Sequence, residues 1–240
     1  MESMNRLNLL KLLGLRDGAR LLMPWWLASR SYSQEGEDLI VRRVFDRRDG
    51  GFYVDVGAHH PVRFSNTYLF YRNGWRGINI DATPGSMRLF KKIRPRDINL
   101  ELAISDVSKR LTLYMFNEPA LNTFDASLAR QRNQGMYRII AEQQMTTKPL
   151  AEVLSSYLPE GLSPTFLTID VEGLDLEVLH SNDWSRFRPE VVLLECLNSS
   201  LEDLPKRAEF LFMKDKGYCP FAKTLNTLIF WNEYHARMAS

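Results

Sequence analysis

The chain is short of the features that mark secreted, membrane-spanning or metal-framed proteins. It has two cysteines in 240 residues, Cys196 and Cys219. That is too few for a disulfide framework or a four-cysteine zinc site, and it suits a reducing compartment. No stretch approaches the ~18–20 uninterrupted apolar residues that span a bilayer. Charge of neither sign is in excess: 31 Lys and Arg against 29 Asp and Glu leave +2, without the concentrated basic surplus of a dedicated nucleic-acid binder. None of the 13 glycines is followed by lysine, which excludes a P-loop. No internal repeat or low-complexity segment is present. With 45% hydrophobic and 25% charged residues, the composition is that of a globular protein with material for one substantial core.

Residues 1–30 read as an N-terminal amphipathic segment, a leucine-rich run broken by Arg6, Lys11, Arg16 and Arg20 and ending beside Trp25 and Trp26. A signal peptide keeps its charges ahead of an unbroken apolar core and ends in small residues. Neither feature is present, so a cytoplasmic chain is expected. Cationic and Trp/Leu faces are the ingredients of a helix lying on a membrane surface; a helix packed on the domain or on a partner subunit is the alternative. Peripheral contact with the inner face of a membrane and a homo-oligomer both stay open. Residues 31–240 are expected to form the main domain.

From Ser33, a candidate helix cap, the chain alternates short β-rich runs with amphipathic stretches. Strands are predicted at Phe52–Val56, Gly77–Asp81, Ile98–Ile104, Phe166–Asp170 and Glu190–Glu195, with a closing hairpin over Tyr218–Trp231. Helices are predicted from about Asn66 to Tyr71 with a stop at Asn73-Gly74, after Pro84 with Met87, Phe90 and Ile93 on one face, and after Asp170 with Leu174, Val178 and Leu179 inward. A further helix ends near Gly217, its start marked by the capping box Ser199-x-x-Glu202. Repeated β-α units predict an α/β fold: a mostly parallel sheet with its last strand antiparallel and helices on both faces. The long interval between the third and fourth strands, about residues 107–164, is predicted to be an inserted cap, with a strand at Leu111–Phe116 and a mobile stretch over 117–145.

Ligands in such sheets lie at the carboxyl ends of the strands, and here those ends are acidic: Asp55, Asp81, Asp106, then Asp170 with Glu172, and Glu195. The turn Asp55-Val56-Gly57-Ala58 brings a glycine where a ligand can approach the backbone. Asp81, 24 residues after Gly57, is placed to accept hydrogen bonds from a ribose diol. These features point to an adenosine site. A nicotinamide fingerprint fails, because the second and third glycine positions hold His59 and Val62. A cofactor without pyrophosphate relaxes that demand, and S-adenosylmethionine is the candidate.

The blocks Ser33-Gln34-Glu35-Gly36-Glu37-Asp38, Tyr53-Val54-Asp55-Val56-Gly57-Ala58, Gly77-Ile78-Asn79-Ile80-Asp81-Ala82, Ala103-Ile104-Ser105-Asp106 and Ile169-Asp170-Val171-Glu172-Gly173 resemble those of the FkbM family of S-adenosylmethionine-dependent O-methyltransferases, enzymes mostly of glycans and natural products. The resemblance covers about residues 31–198 and implies a Rossmann-like class I methyltransferase sheet. It also implies that Asp55, Gly57 and Asp81 hold the cofactor, that Ser105 and Asp106 lie near the adenine, and that Asp170 and Glu172 lie beside the reacting methyl. The family commonly continues Gly-Ala-Asn-x-Gly, whereas here Ala58 is followed by His59-His60-Pro61.

Three arrangements serve the deprotonation of an acceptor hydroxyl. His59 or His60 is the base, since imidazole titrates near neutrality. Alternatively Asp170 or Glu172 is, with burial raising its pKa. In the third, Asp170, Glu172 and Glu195 hold Mg²⁺ or Mn²⁺. Phe64, Phe124 and Tyr137 are candidates to stack on a sugar. The expected activity is O-methylation of a sugar, glycan or glycolipid hydroxyl. A small polyketide or lipid hydroxyl, or a non-catalytic nucleotide-fold module that docks partners, are the alternatives.

Overall fold

The computed structural model describes residues 29–46, 48–197 and 199–233. Chain contacts divide the protein into Met1–Arg30 and Ser31–Ser240, and among the described residues every strand and helix belongs to the second unit. The amphipathic reading of residues 1–30 falls almost wholly outside the described residues.

Seven strands form the main sheet: β1 (Phe52–Val56), β2 (Arg76–Asp81), β3 (Ile98–Glu101), β7 (Phe166–Ile169), β8 (Val191–Glu195), β9 (Tyr218–Lys223) and β10 (Thr227–Asn232). Their order is β3-β2-β1-β7-β8-β10-β9. The pairs β2–β3, β1–β2, β1–β7 and β7–β8 are parallel, while β10 is antiparallel to both β8 and β9. The antiparallel last strand follows from the short Thr224–Asn226 turn, which allows only a hairpin return.

Strand pleating sorts the core into two layers. Phe52, Val54, Val56, Leu167, Ile169, Val192, Leu194 and Phe230 pack with Leu150, Val153 and Leu154 of α5 (Leu150–Tyr157), Val178 and Leu179 of α6 (Asp175–His180) and Met213 of α7 (Ala208–Asp215). Tyr53, Phe166, Val191, Leu193 and Ile229 face the other way, onto Val41 of α1 (Glu37–Val44), the adjoining Phe45, and Leu69 and Phe70 of α2 (Tyr68–Arg72). Both faces are therefore covered, as a parallel sheet requires.

Several boundaries differ from the sequence reading. The helix expected after Ser33 starts at Glu37, behind a left-handed Gly36; the Ser33 hydroxyl accepts from the Asp38 N–H of its first turn at 3.3 Å and donates to the Asp38 carboxylate. The run Ile98–Ile104 is two strands. β2 ends at Asp81, so past Glu101 nothing remains to pair with, and Ala103–Ile104 (β4) joins β6 (Ile139–Lys148). The stretch 117–145 is not a plain cap: β6 pairs antiparallel with β5 (Arg110–Phe116) from Ile139 onward, and α4 (Ala126–Arg132), capped by Asp125, sits between them. The insertion closes at Lys148 instead of 164, because α5 belongs to the main core. The capping box at Ser199 is not formed. Its segment carries the short 3₁₀ turn Leu204–Lys206, which includes Pro205, and α7 starts only at Ala208.

Candidate active site

The carboxyl ends of β2, β1, β7 and β8 and the start of β10 lie side by side along one rim of the sheet. Over them lies a cavity of about 320 Å³, floored by Gly57, Asp81, Asp170 and Glu195 and roofed by residues of the insertion, among them Leu121, Asn122, Phe124 and Arg132. Its volume is at the lower end of small-molecule sites. Residues of the 117–145 stretch thus contribute to its lining.

Gly57 allows the close approach that forms the floor. Its φ is +84°, and a Cβ there would lie 1.6 Å from the carbonyl oxygen of Asp170. Its N–H and that of Ala58 donate to the Ile80 carbonyl at 2.9 and 3.0 Å, tying the β1 turn to β2. Asp81, buried at the end of β2, accepts from the N–H groups of His59 (2.9 Å) and Thr83 (2.7 Å). Those two donors orient its carboxylate and leave further lone pairs.

The other acids gather two and three strands away from Asp81, at the ends of β7 and β8. Asp170, Glu172 and Glu195 each bring a carboxylate oxygen within 4.8 Å of the others. Asp170 opens onto the cavity but is otherwise surrounded by protein. Burial, and then the like charges of Glu172, Asp175 and Asp55, push its pKa well up against the pull of Arg132. Glu195 and Glu172 are raised as well, burial again being the main cause. Among the described residues Arg132 pairs with Glu172, both side chains largely buried. Beneath the cluster Asp175 accepts weakly from Val171 and Gly173, and burial carries it to about 7.

Among the described residues three non-glycine side chains have positive φ: His59 at 49°, Phe64 at 56° and Glu172 at 54°. All three line this cavity. Such conformations cost roughly 1–3 kcal/mol each and gather at functional sites. The Glu172 turn is held in part by Thr123, whose hydroxyl donates to the Glu172 carbonyl at 2.6 Å, while Asn122 donates to Thr83 at 3.0 Å. The Asn122-Thr123-Phe124 segment thus ties the roof to both strand-end loops.

Of the residues singled out in sequence, Gly57, Asp81, His59, Asp170, Glu172 and Glu195 line the cavity, and so do Phe64 and Phe124. Asp55, Ala58, His60, Ser105, Asp106 and Tyr137 are not among its lining residues. The reason differs in each case. The pleat turns Asp55 toward the Tyr53 face, where it accepts from Thr67 at 2.6 Å and burial lifts it to about 6. His60 Nδ1 accepts from the N–H groups of Val62 and Arg63, capping its own turn. Ser105 is fully buried and donates to Asp106, itself exposed and paired with Lys109 at 2.8 Å. Ala58 packs with Met87 and Phe90. Tyr137 is exposed, between α4 and β6. The sequence reading assigned no role to Gln34, Arg132, Asn226 or Thr227, which also line the cavity. Gln34 sits in one of the motif blocks, a signal that was available; the other three are reached only through non-local packing.

A family model, "Methyltransferase FkbM domain", matches residues 55–219. No curated protein matches the chain in sequence. Among solved structures, precorrin-6Y C5,15-methyltransferase from Geobacter metallireducens is similar at 14% identity and TM-score 0.43, covering 85% of this chain and 90% of that one. A TehB-like SAM-dependent methyltransferase from Corynebacterium glutamicum is similar at 9% identity and TM-score 0.40, covering 95% and 94%. With the family match spanning more than half of the protein, and with the antiparallel β10 in an otherwise parallel rim, the chain belongs to the FkbM-domain family of methyltransferases.

Proposed function

We propose that the protein transfers the methyl group of S-adenosylmethionine to a hydroxyl of a sugar, glycan or glycolipid. The observation that carries this reading is the order of groups along one rim, with Asp81 and the bare Gly57 backbone at one end and the carboxylates of Asp170 and Glu195, which open onto the cavity, beyond them.

The lining fits the donor. Asp81, with its carboxylate oriented by two backbone N–H groups, suits a ribose diol. Ile80, Leu102, Ile104 and Leu113 supply an apolar wall for a base. The acid-rich lining favours a sulfonium cation. When bound, S-adenosylmethionine supplies a methyl carbon activated for in-line displacement.

The chain supplies position and a proton acceptor. Asp170 takes the hydroxyl proton at its carboxylate. Burial and neighbouring carboxylates raise its pKa and so make it a stronger base, and a general base typically adds ~10²–10⁴-fold; alignment in the cavity contributes further. Glu172, bound to Arg132, fixes the α4 roof over the site. His59 stands beside Asp81, on the cofactor side. Its imidazole is kept neutral by burial. Phe64 and Phe124 offer rings to a sugar's C–H face.

The compact oxygen set of Asp170, Glu172 and Glu195 offers a second arrangement, in which these three would hold Mg²⁺ or Mn²⁺ and the ion would supply Lewis acidity. Arg132 competes for that position through Glu172. The acid-rich floor weighs against an apolar polyketide or lipid acceptor, and the lined cavity against a non-catalytic docking module.

Calorimetric titration with S-adenosylmethionine and S-adenosylhomocysteine tests the reading. Micromolar-range binding is expected, abolished by Asp81→Ala, and Asp170→Asn should lower turnover ~10²–10⁴-fold while leaving S-adenosylhomocysteine affinity within about twofold. Folded protein that binds neither ligand ends the reading. A separate Mg²⁺ or Mn²⁺ event, lost in Asp170→Ala, would place the metal arrangement first.

A further inference from the structure

The Ser33–Asp38 block supplies none of the groups given a role above, yet it reaches the cavity. Gln34 lines it, is exposed, and its carboxamide makes no hydrogen bond among the described residues. Its neighbours hold it in place. Glu35 accepts from the Asn226 backbone N–H at 2.8 Å and from the Asn226 side-chain amide at 2.6 Å, across 191 positions of chain. Glu37, 2% exposed, accepts from the hydroxyls of Thr227 (3.0 Å) and Thr224 (3.3 Å). Asp38, fully buried, accepts from Ser31, Ser33 and the Tyr32 N–H. Three acids of one hexapeptide are thus spent on anchoring it, two of them to the β9–β10 turn, while the one uncharged long side chain among them is left open.

The sheet order tells which ligand Gln34 meets. Strands stand about 4.8 Å apart, and the rim runs β2, β1, β7, β8, β10, with Thr227 directly opposite Glu195. Asp81 lies at one end of this row and Thr227 at the other, four strand spacings away, with Asp170 midway. If the donor occupies the Asp81 and Gly57 end, the end beyond Asp170 is left for the acceptor.

Resting on the methyltransferase reading, we propose that Gln34 is an acceptor-recognition residue, held by the Glu35 and Glu37 clamp, and that the acceptor group bound there is an uncharged polyol. A carboxamide offers donor and acceptor together, matching a sugar's adjacent hydroxyls. The carboxylates of Asp170, Glu172 and Glu195 face this end, and Arg132 is already paired. A phosphate or carboxylate on the acceptor would lie among acids, with no free cation among the described lining residues to offset its charge.

The test uses the full chain saturated with S-adenosylhomocysteine, so that only the acceptor end is open. Methyl α-D-glucopyranoside, methyl α-D-mannopyranoside, methyl α-L-rhamnopyranoside and glucose 6-phosphate are each titrated by saturation-transfer NMR. At least one neutral glycoside is expected to bind, and glucose 6-phosphate at least tenfold more weakly than it. Gln34→Ala, at an exposed position, should weaken the best glycoside about tenfold, the loss of one good hydrogen bond, without moving S-adenosylhomocysteine affinity. Glu35→Ala should produce a similar loss and Glu35→Gln, which keeps one acceptor oxygen for Asn226, should recover most of it. Glycoside affinity unchanged in Gln34→Ala, preference for the phosphate, or no glycoside binding by the wild-type protein overturns this inference and leaves the methyltransferase reading standing. Failure of S-adenosylhomocysteine itself to bind overturns both.

Discussion

Gly57 is the residue on which the site geometry turns. With φ at +84° and the Asp170 carbonyl where a Cβ would stand, no L side chain fits without displacing the β7 end. Gly57→Ala combines a left-handed backbone penalty with overpacking, and roughly 3 kcal/mol of destabilisation is expected. Urea unfolding measures it, and an unaltered midpoint would show that the two loops can part. Asp170 carries the complementary prediction. Because burial and neighbouring carboxylates raise its pKa, the protonated, inactive form persists to higher pH than for an ordinary aspartate. The rate should climb with pH through that raised value, and the climb should vanish in Asp170→Asn. A rate already flat from about pH 5 upward, just above the ordinary carboxylate range, would assign the base elsewhere.

Among the elements, the corner before β3 holds the Asp81 side of the sheet together. Arg94 follows α3 (Met87–Ile93), is fully buried, and pairs with Asp97 at 2.8 Å. It also donates to Thr67 at the start of α2, and Thr67 donates to Asp55 on β1. Asp97 in turn accepts from the Tyr53 hydroxyl, the Gly77 N–H and Asn79. Four elements converge on this one pair. A buried ion pair stabilises little relative to apolar residues of the same shape, but removing one partner strands the other. Arg94→Met is therefore expected to cost about 3–5 kcal/mol, whereas the exposed pair Arg43–Asp46 should give within about 1 kcal/mol on the same substitution. Equal effects at the two sites would refute the network reading. The β5–β6 ribbon and α4 stand differently: they reach the loop after β7 through Arg132 on Glu172 and Thr123 on its carbonyl, so the roof is coupled to the cavity floor by a few polar contacts.

For the whole molecule, the concentration of acids at one rim has a thermodynamic consequence. Asp55 is raised to about 6 and Asp175 to about 7, with Asp170, Glu172 and Glu195 raised alongside them, burial being the main cause in each. In the unfolded chain such groups titrate near ~4. Between about pH 4 and about pH 7 the folded protein therefore binds more protons than the unfolded one, and this contribution to stability is fully present below about pH 4 and is lost as pH rises through the folded values. Thermal midpoints should fall from about pH 5 to about pH 8, and Asp175→Asn should make the fall shallower by raising the midpoint at the alkaline end. A midpoint that rises over that interval would contradict the raised pKa values. Saturating S-adenosylhomocysteine should raise the midpoint throughout, by mass action on the folded state.

The order of strands and helices was readable because its signals are local. Runs such as Val54-Asp55-Val56 and Val191-Val192-Leu193-Leu194, and the left-handed stop at Gly74 (φ 92°), act through neighbouring residues, and those elements formed close to where the pattern put them. The presence of Asp81, Asp170 and Glu195 at the carboxyl ends of strands was legible for the same reason. What a strand pairs with is not local. Ile98–Ile104 changed partners because β2 stops at Asp81, and the glutamine-rich run 139–148 became a strand because β5 lay opposite it. Side-chain direction followed the same rule. Asp55 and Asp81 look alike in sequence, but the pleat sends one under α2 while the end of a strand opens the other to the cavity. Arg132 and Glu172 lie 40 positions apart, and Glu35 and Asn226 lie 191 apart. Contacts of that kind become favourable only after the sheet has ordered the chain between them. The residue types able to do the chemistry were therefore visible along the chain, and packing alone selected which of them share one cavity.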